Sequence, residues 1–244
     1  MSGFIFMLTL RQLLLQKSTL LLALLALLPL VIALIFRLSE SDQDPENWTA
    51  EVLLGGLVVT IVVPLTALLL GASVIGDELE DGTAVYLLTK PLPRWQVLLP
   101  KVAAALLLAV ALAVPSTVLS GLLAIEGRGG AIVTGFAVAV LLGSLAYVAV
   151  FVLLSLLSNH ALIIGLIYVF LWEGALAGIF EGLRFLSIRH FSLGIAEWIA
   201  GTEPETFDAY LGGETALTAV LVTAFLALLW ANRRLEQIEV REAS

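Results

Sequence analysis

Long apolar runs separated by short polar segments form the hydrophobic pattern of this chain. A helix needs roughly 20 apolar residues to cross the hydrocarbon core of a bilayer. Six runs are of about this length. The pattern predicts an all-α integral membrane protein with a single transmembrane domain over residues 1–244. We place its six transmembrane helices at about 20–36, 52–75, 102–125, 131–157, 161–180 and 215–232.

The longest uncharged stretch runs from Gly129 to Trp172 and contains no Asp, Glu, Lys or Arg in 44 residues. This is about twice the length that one crossing needs, so the stretch must fold back on itself. The polar cluster Ser158-Asn159-His160 lies near its middle and predicts the turn between the fourth and fifth spans.

Residues 1–18 carry Arg11 and Lys17 among apolar side chains that group loosely on one helical face. This pattern is typical of a helix that lies in the membrane interface. A cleaved signal peptide is the alternative, but no small-residue cleavage site follows Lys17, and a spanning helix continues the stretch. We therefore predict an interfacial helix.

Composition excludes several classes of protein. Apolar residues make up 60% of the chain and charged residues only 13%, which is too little polar material to cover a water-soluble surface. The absence of cysteine excludes disulfides and thiolate metal sites. His160 and His190, the two histidines, lack ligand spacing, so we expect neither a metal site nor a cofactor in this chain, and no nucleic acid as a partner.

The basic residues are distributed unequally between the two sides of the predicted bundle. Eight fall on the side of the termini: Arg11, Lys17, Lys90, Arg94, Lys101, Arg233, Arg234 and Arg241. Four fall on the other side: Arg37, Arg128, Arg184 and Arg189. Loops rich in Lys and Arg stay in the cytoplasm, so the pattern predicts a multi-pass protein of the cell (inner) membrane with both termini cytoplasmic.

The loop at 75–101, between the second and third spans, has the most distinctive sequence. Four carboxylates crowd its start, at Asp77, Glu78, Glu80 and Asp81, where they would suit the N-terminal end of a short helix. Gly82 and Thr83 follow, and two prolines, at 91 and 93, stop a helix from running through. The loop is either a compact docking element or a solvated acidic segment.

The order of residues in this loop resembles the signature of the ABC-2 type transporter permeases. The matching residues are Glu78, Glu80, Gly82, Thr83, Leu87, Leu88, Pro91, Arg94 and Lys101. The six-span plan, the interfacial first helix and the long segment before the last span are also similar to this family. Asp81 departs from the pattern, because a basic or polar residue is commoner there.

The resemblance implies that the loop holds a coupling helix, with Asp77, Glu78, Glu80, Asp81, Gly82, Thr83 and Arg94 contacting an ABC ATPase subunit. It also implies two ATPase copies, a second copy of this permease in a homodimer, and ATP and Mg bound by the partner. The chain itself contains no phosphate-binding loop of the Gly-x-x-x-x-Gly-Lys-Ser/Thr type. We therefore expect hydrolysis in the partner and no catalytic residue here.

Glu173 is a carboxylate inside the fifth predicted span, and Trp172-Glu173 is a pair that also resembles ABC-2 permeases. An ionised group in a spanning helix is costly and usually faces protein or water. Two interpretations are open. Glu173 either bonds to polar groups of the outer loops and orders the outer mouth, or takes a direct part in substrate passage as a gate.

Gly174 and Gly178 form a small-xxx-small pair, which predicts close packing against a neighbouring span or the second protomer. The outer segment 181–214 mixes apolar residues with Arg184, Arg189 and Glu197 in a way that suits interfacial helices. It acts either as a lid over the exit or as ordinary interfacial packing.

Three functions are weighed. The first is an ATP-driven exporter permease that moves a lipid-like, drug-like or other amphiphilic substrate outward among membrane lipids. The second is a mechanotransmitting permease that passes ATPase motion to an extracytoplasmic partner protein without cargo. The third, an intramembrane enzyme using Glu173, lacks a second catalytic group at matching depth.

Overall fold

The structure, a computed structural model, describes residues 2–39, 43–80, 93–125, 129–201 and 209–242. Helices make up almost all of these ranges, and no β-strand occurs within them. The prediction of an all-α membrane protein is confirmed.

The helices follow one another with short connections. In chain order they are α1 (Ser2–Leu15), α2 (Lys17–Leu38), α3 (Pro45–Trp48), the π-helix π1 (Thr49–Val62), α4 (Val63–Glu80), α5 (Trp95–Ala124), α6 (Gly130–Leu157), α7 (Ala161–Ile167), the π-helix π2 (Tyr168–Leu176), α8 (Ala177–Ile179), a 3₁₀ turn (Glu181–Leu186), α9 (Ile188–Ala200) and α10 (Gly213–Glu242).

Five of the described helices are long and apolar enough to cross a membrane. They are Lys17–Leu38, Pro45–Gly76, Trp95–Ala124, Gly130–Leu157 and Gly213–Gln237. The predicted fifth span, 161–180, is built from α7, π2 and α8, and its apolar run Ala161–Leu176 is shorter than the others. The count of six spans is therefore not confirmed.

α1 and α2 are separate helices that meet at Gln16, whose backbone is extended. α1 packs against α5, with Leu13 buried in the core. The Thr19 hydroxyl donates a hydrogen bond to the Leu13 carbonyl and closes the corner between the two helices. The corner gives α1 a direction different from that of the first span.

α6 lies at the centre of the bundle and contacts α4, α5, α9 and α10. Its largest side chains, Phe136, Tyr147 and Phe151, are fully buried. By contrast, only 28% of the most apolar segment of α2, and likewise of α10, is buried within this chain. Their remaining apolar surface faces lipid or another protein, as expected for outer helices of a membrane bundle.

α9 runs antiparallel along α6. Gly143 faces Ser192 near the start of α9, and Gly135 faces the backbone of Ala196 and Ala200 near its end. Glycines on α6 thus let the two backbones approach closely. The sequence predicted interfacial helices within 181–214. In the structure one face of α9 packs on α6, while Trp198 and Ile199 stay exposed, and an interfacial position for this helix stays a prediction.

Candidate functional site

Glu173 lies at the centre of a buried polar cluster that joins three elements. Its carboxylate accepts hydrogen bonds from the hydroxyl of Tyr147 on α6, the hydroxyl of Tyr168 on π2 at 2.8 Å, and the backbone amide of Ile188 at the start of α9 at 2.9 Å. The side chain is only 2% exposed. Because a buried carboxylate is costly unless it is hydrogen-bonded, these three donors are what allow it to be there.

The π-helical backbone explains how Tyr168 reaches Glu173. In an α-helix, residues five apart point about 140° away from each other, since each residue turns the helix by about 100°. In a π-helix the backbone bonds join residues i and i+5, so the turn is wider and residues five apart point in more similar directions than they do in an α-helix. The π2 segment therefore brings the Tyr168 hydroxyl and the Glu173 carboxylate onto the same face.

Aromatic packing holds the two tyrosines in place. The rings of Tyr147 and Phe151 stack with centroids 5.9 Å apart, and Phe151 meets the Tyr168 ring edge to face at 6.1 Å. Both geometries are favourable for aromatic pairs. Phe151 is fully buried and lies between the two tyrosine rings, so it packs α6 against π2 beside Glu173.

The first turn of α9 completes the cluster. Ser187 precedes α9 as its N-cap, and its side-chain oxygen accepts a hydrogen bond from the amide of His190. The Glu173 carboxylate takes the amide of Ile188, another donor that the first turn of a helix leaves without a partner. A negative group also interacts favourably with the positive end of the helix dipole. Glu173 thus acts as a second cap, supplied from another helix.

This geometry bears on the two interpretations of Glu173. Both of its oxygens accept hydrogen bonds from protein donors, and one donor belongs to the segment that follows the fifth predicted span. Because both oxygens are already hydrogen-bonded to protein, the geometry favours the interpretation in which Glu173 orders neighbouring segments over the one in which it contacts cargo directly. Its role in transport stays a prediction.

At Gly174 the predicted close packing is not found within the described residues. A Cβ atom built on Gly174 would meet only the Val169 carbonyl of its own helix, at 3.5 Å, so no other helix packs against this position. Gly178 lies in α8. Packing of Gly174 and Gly178 against a second protomer stays a prediction.

Three of the residues predicted to contact an ATPase lie at the end of α4. Asp77, Glu78 and Glu80 belong to the last turn of α4, whereas Asp81, Gly82 and Thr83 lie outside the described residues. The expectation that the carboxylates begin a short helix is wrong for the first three, because α4 continues to Glu80 and places them at its C-terminal end.

Arg94 and Lys101 lie where the chain returns to the bundle. Arg94 precedes α5 as its N-cap and is 7% exposed. The Lys101 ammonium, 3% exposed, donates a hydrogen bond of 3.1 Å to the carbonyl of Val74 on α4. The two helices that flank the predicted coupling loop are thus tied together by a buried cation.

A continuous set of contacts joins this end of α4 to the Glu173 cluster. A Cβ atom built on Gly71 would lie 3.1 Å from Cβ of Phe151 and 3.3 Å from the carbonyl oxygen of Val148, so α4 and α6 touch almost backbone to backbone. Phe151 in turn packs on Tyr147. Gly71 thus contacts Phe151 and Val148, and Phe151 packs on a tyrosine that donates a hydrogen bond to Glu173.

Sequence reasoning singled out Glu173 but missed its partners Tyr147 and Tyr168. The available signal was that a tyrosine in an apolar span needs a partner for its hydroxyl. The π-helix and the position of Ile188, 15 residues away, leave no comparable trace in the sequence.

Comparison with known families agrees with the geometry. Over residues 6–231 the chain matches a family described as ABC-2 family transporter protein. No curated protein shows a significant match. The family match covers most of the chain and confirms the predicted resemblance to the ABC-2 permeases. The chain therefore belongs to the ABC-2 family of transporter proteins and is a multi-pass membrane permease subunit of an ABC transporter, with the ATPase activity in a partner subunit.

Proposed function

We propose that this permease exports an amphiphilic substrate, using ATP hydrolysed with Mg by two copies of an ABC ATPase. A second, identical permease chain completes the transporter. This chain supplies the coupling segment 75–101 and part of the pathway, and the ATPase supplies the chemistry.

The observation that carries the proposal is the contact between α4 and α6 at Gly71. The predicted docking segment begins at the end of α4. At Gly71 the backbone of α4 lies almost directly against α6, with no large side chain between the two helices. Close-packed interfaces respond to displacement by moving together. Motion imposed on the coupling segment would therefore reach Tyr147, Glu173 and the start of α9.

The acidic end of α4 supports a basic docking surface on the ATPase. Carboxylates at the C-terminal end of a helix oppose its dipole and are unfavourable there. Asp77, Glu78 and Glu80 lie in this position. A partner carrying Lys or Arg would neutralise them.

The inner side of the bundle follows from the basic residues. Lys101 bonds to Val74, and the guanidinium of Arg234 lies 3.4 Å from the carbonyl of Leu156, at the same end as the coupling segment. By the positive-inside rule this end is cytoplasmic, together with both termini. The chain contains no cysteine, so single cysteines at Asn159 and Asp44 can test it. An impermeant maleimide added outside intact cells should label Asp44→Cys and spare Asn159→Cys.

A mechanotransmitting permease is the second candidate. The exposed apolar residues Phe185 and Leu186, 55% and 64% exposed, could contact an extracytoplasmic protein. ATP-dependent movement of a fluorescent phospholipid in vesicles supports export. Co-purification of an extracytoplasmic protein without such movement supports the second candidate.

Replacement of Glu78 by Ala, or of Gly82 by Leu, tests the coupling segment. Both variants should insert into the membrane normally and recover at least fivefold less ATPase in co-purification. Glu214→Ala, an exposed carboxylate in the first turn of α10, is the matched control and should leave ATPase recovery unchanged. Normal assembly and normal coupled ATPase activity in both test variants would exclude this segment as the docking site.

A further inference from the structure

Two adjoining cavities lie between α4 and α7. The first, the polar chamber, has a volume of about 230 Å³ and presents the side chains of Ser73, Ser155, Ser158, Asn159 and His160. The second, the apolar chamber, has a volume of about 330 Å³ and is lined by eight leucines from α2, α4 and α7. Neither cavity touches the Glu173 cluster.

The two chambers are neighbours along the same helices. Leu162 lines both of them. On α4, Leu69 of the apolar chamber and Ser73 of the polar chamber are four residues apart, which is about one turn or 6 Å. On α7, Leu162 and Leu166 are also four apart and share a face. The cavities thus form one lane with a polar end and an apolar end.

The polar end lies at the end of the bundle. Ser158, Asn159 and His160 form the turn between α6 and α7, and Gly76 is close to the end of α4. In the proposed orientation this turn faces the cytoplasm, so the polar chamber is at headgroup depth of the inner leaflet. The apolar chamber lies deeper, at acyl-chain depth.

The lane is open toward the lipid. Leu21, Leu162 and Leu166 line the apolar chamber and are 62%, 45% and 40% exposed. Leu22 and Leu68, which form the back of the chamber, are each 1% exposed. A molecule in the bilayer could therefore enter sideways without first passing through water.

We propose that this lane binds one membrane amphiphile, with its headgroup in the polar chamber and an acyl chain in the apolar chamber. The inference rests on the proposed export function, for which it supplies the loading site. Small-molecule sites occupy roughly 300–1,000 Å³, are mostly apolar and hold a few polar groups that fix orientation. Hydroxyl, amide and imidazole groups suit the oxygen acceptors of a lipid headgroup.

The chemistry favours an amphiphile over a second copy of this chain. The Ser73 and Ser155 hydroxyls already donate to the carbonyls of Leu70 and Val152. A helix face of another protomer that is apolar at both depths would leave the side chains of Asn159 and His160, which are exposed within this chain, without polar partners. Unpaired polar groups at a dry interface are costly. An amphiphile matches both chambers at once.

Photo-cross-linking in vesicles tests the site directly. The full chain is reconstituted with a phosphatidylcholine that carries a diazirine in one acyl chain, and adducts are located by mass spectrometry. We expect adducts concentrated around Leu69 and Leu166. Leu166→Trp fills the apolar chamber and should reduce them at least fivefold. Ile167→Trp is the matched control, since Ile167 is 54% exposed, adjacent in sequence and outside the lining, and it should retain them.

A second variant addresses the polar chamber. Asn159→Leu removes a headgroup donor without entering the apolar chamber, and it should reduce the same adducts at least threefold. Equal labelling in Leu166→Trp and Ile167→Trp, or adducts spread evenly over exposed leucines, would overturn the proposal. Efficient disulfide cross-linking of two Leu166→Cys chains, with no lipid adduct at this lane, would assign the surface to a second copy instead.

The labelling needs neither ATP nor the ATPase. Failure of lipid movement in the transport assay with intact labelling would reject export and keep the binding site. Loss of site-specific labelling with intact lipid movement would reject the site and keep the proposed function.

Discussion

The backbone amide of Ile188 donates a 2.9 Å hydrogen bond to the carboxylate of Glu173, 15 residues earlier in the chain. Between them the chain leaves π2, passes through α8 and a 3₁₀ turn, and re-enters the bundle as α9. One hydrogen bond therefore fixes where α9 begins relative to π2. With the two tyrosines it makes the start of α9 dependent on α6 as well.

Replacement of Glu173 by Gln should destabilise the permease. Gln keeps the shape, but its NH₂ group cannot accept a hydrogen bond, so one of the three donors loses its acceptor. Hydrogen bonds between membrane helices contribute about 0.6 kcal/mol on average and up to about 1.7 kcal/mol. We expect a loss of about 1–2 kcal/mol in SDS-induced unfolding of the purified chain.

Tyr147→Phe provides the matched test of this cluster. If the Tyr147 hydroxyl acts through Glu173, the double variant should lose less stability than the sum of the two single variants. Glu197 lies outside the cluster, and its carboxylate accepts a 3.1 Å hydrogen bond from the backbone amide of Ala209. The loss of stability in Glu197→Gln should therefore be additive with the loss in either single variant of the cluster. Strict additivity of Glu173→Gln and Tyr147→Phe would contradict the assigned hydrogen bond.

Much of the fold can be predicted from the sequence because a bilayer imposes simple length and polarity rules. The charge-free stretch 129–172 folds back at Ser158, as its length requires, and Pro45–Gly76 and Trp95–Ala124 overlap the second and third predicted spans. The π-helices escaped prediction, since their apolar periodicity differs too little from that of an α-helix in a segment that is apolar all round.

The site was less predictable for a different reason. Glu173 stands out because it is charged within a span, but its donors are two tyrosines and a backbone amide, none of which is unusual by itself. Likewise, the carboxylates at Asp77 and Glu78 suggested a helix start, because nothing in the local pattern marks how far α4 continues.

Gly71→Ala should weaken the contact between α4 and α6. The new methyl group would lie 3.1 Å from Cβ of Phe151 and 3.3 Å from the Val148 carbonyl, and overpacking of this kind costs about 1–3 kcal/mol. Gly76→Ala on the same helix is the control, since its methyl group would meet only Ser155, at 3.8 Å. The purified permease should unfold more easily in Gly71→Ala alone, and in the reconstituted transporter substrate-stimulated ATPase activity should fall in Gly71→Ala.

Equal behaviour of the two alanine variants would contradict the role given to the Gly71 contact. Because both changes replace Gly by Ala in one helix, the gain in helix propensity, about 1 kcal/mol, is common to both. Any difference in unfolding then comes from the packing against α6.

Gly135→Ala tests whether α9 is held in the bundle by its close approach to α6. A methyl group at this position would overlap the backbone of α9 at Ala196 and Ala200, and backbone cannot turn aside as a flexible side chain can. We expect α9 to separate from α6, so that a cysteine placed at Ser192, which is 1% exposed, reacts with maleimide at least fivefold faster. The natural absence of cysteine makes this label specific. Gly130→Ala, on the same helix with open space around it, should leave the labelling rate unchanged.

Slow labelling in both variants would mean that α9 is secured by the Glu173 cluster alone, and adding Glu173→Gln to Gly135→Ala should then release it.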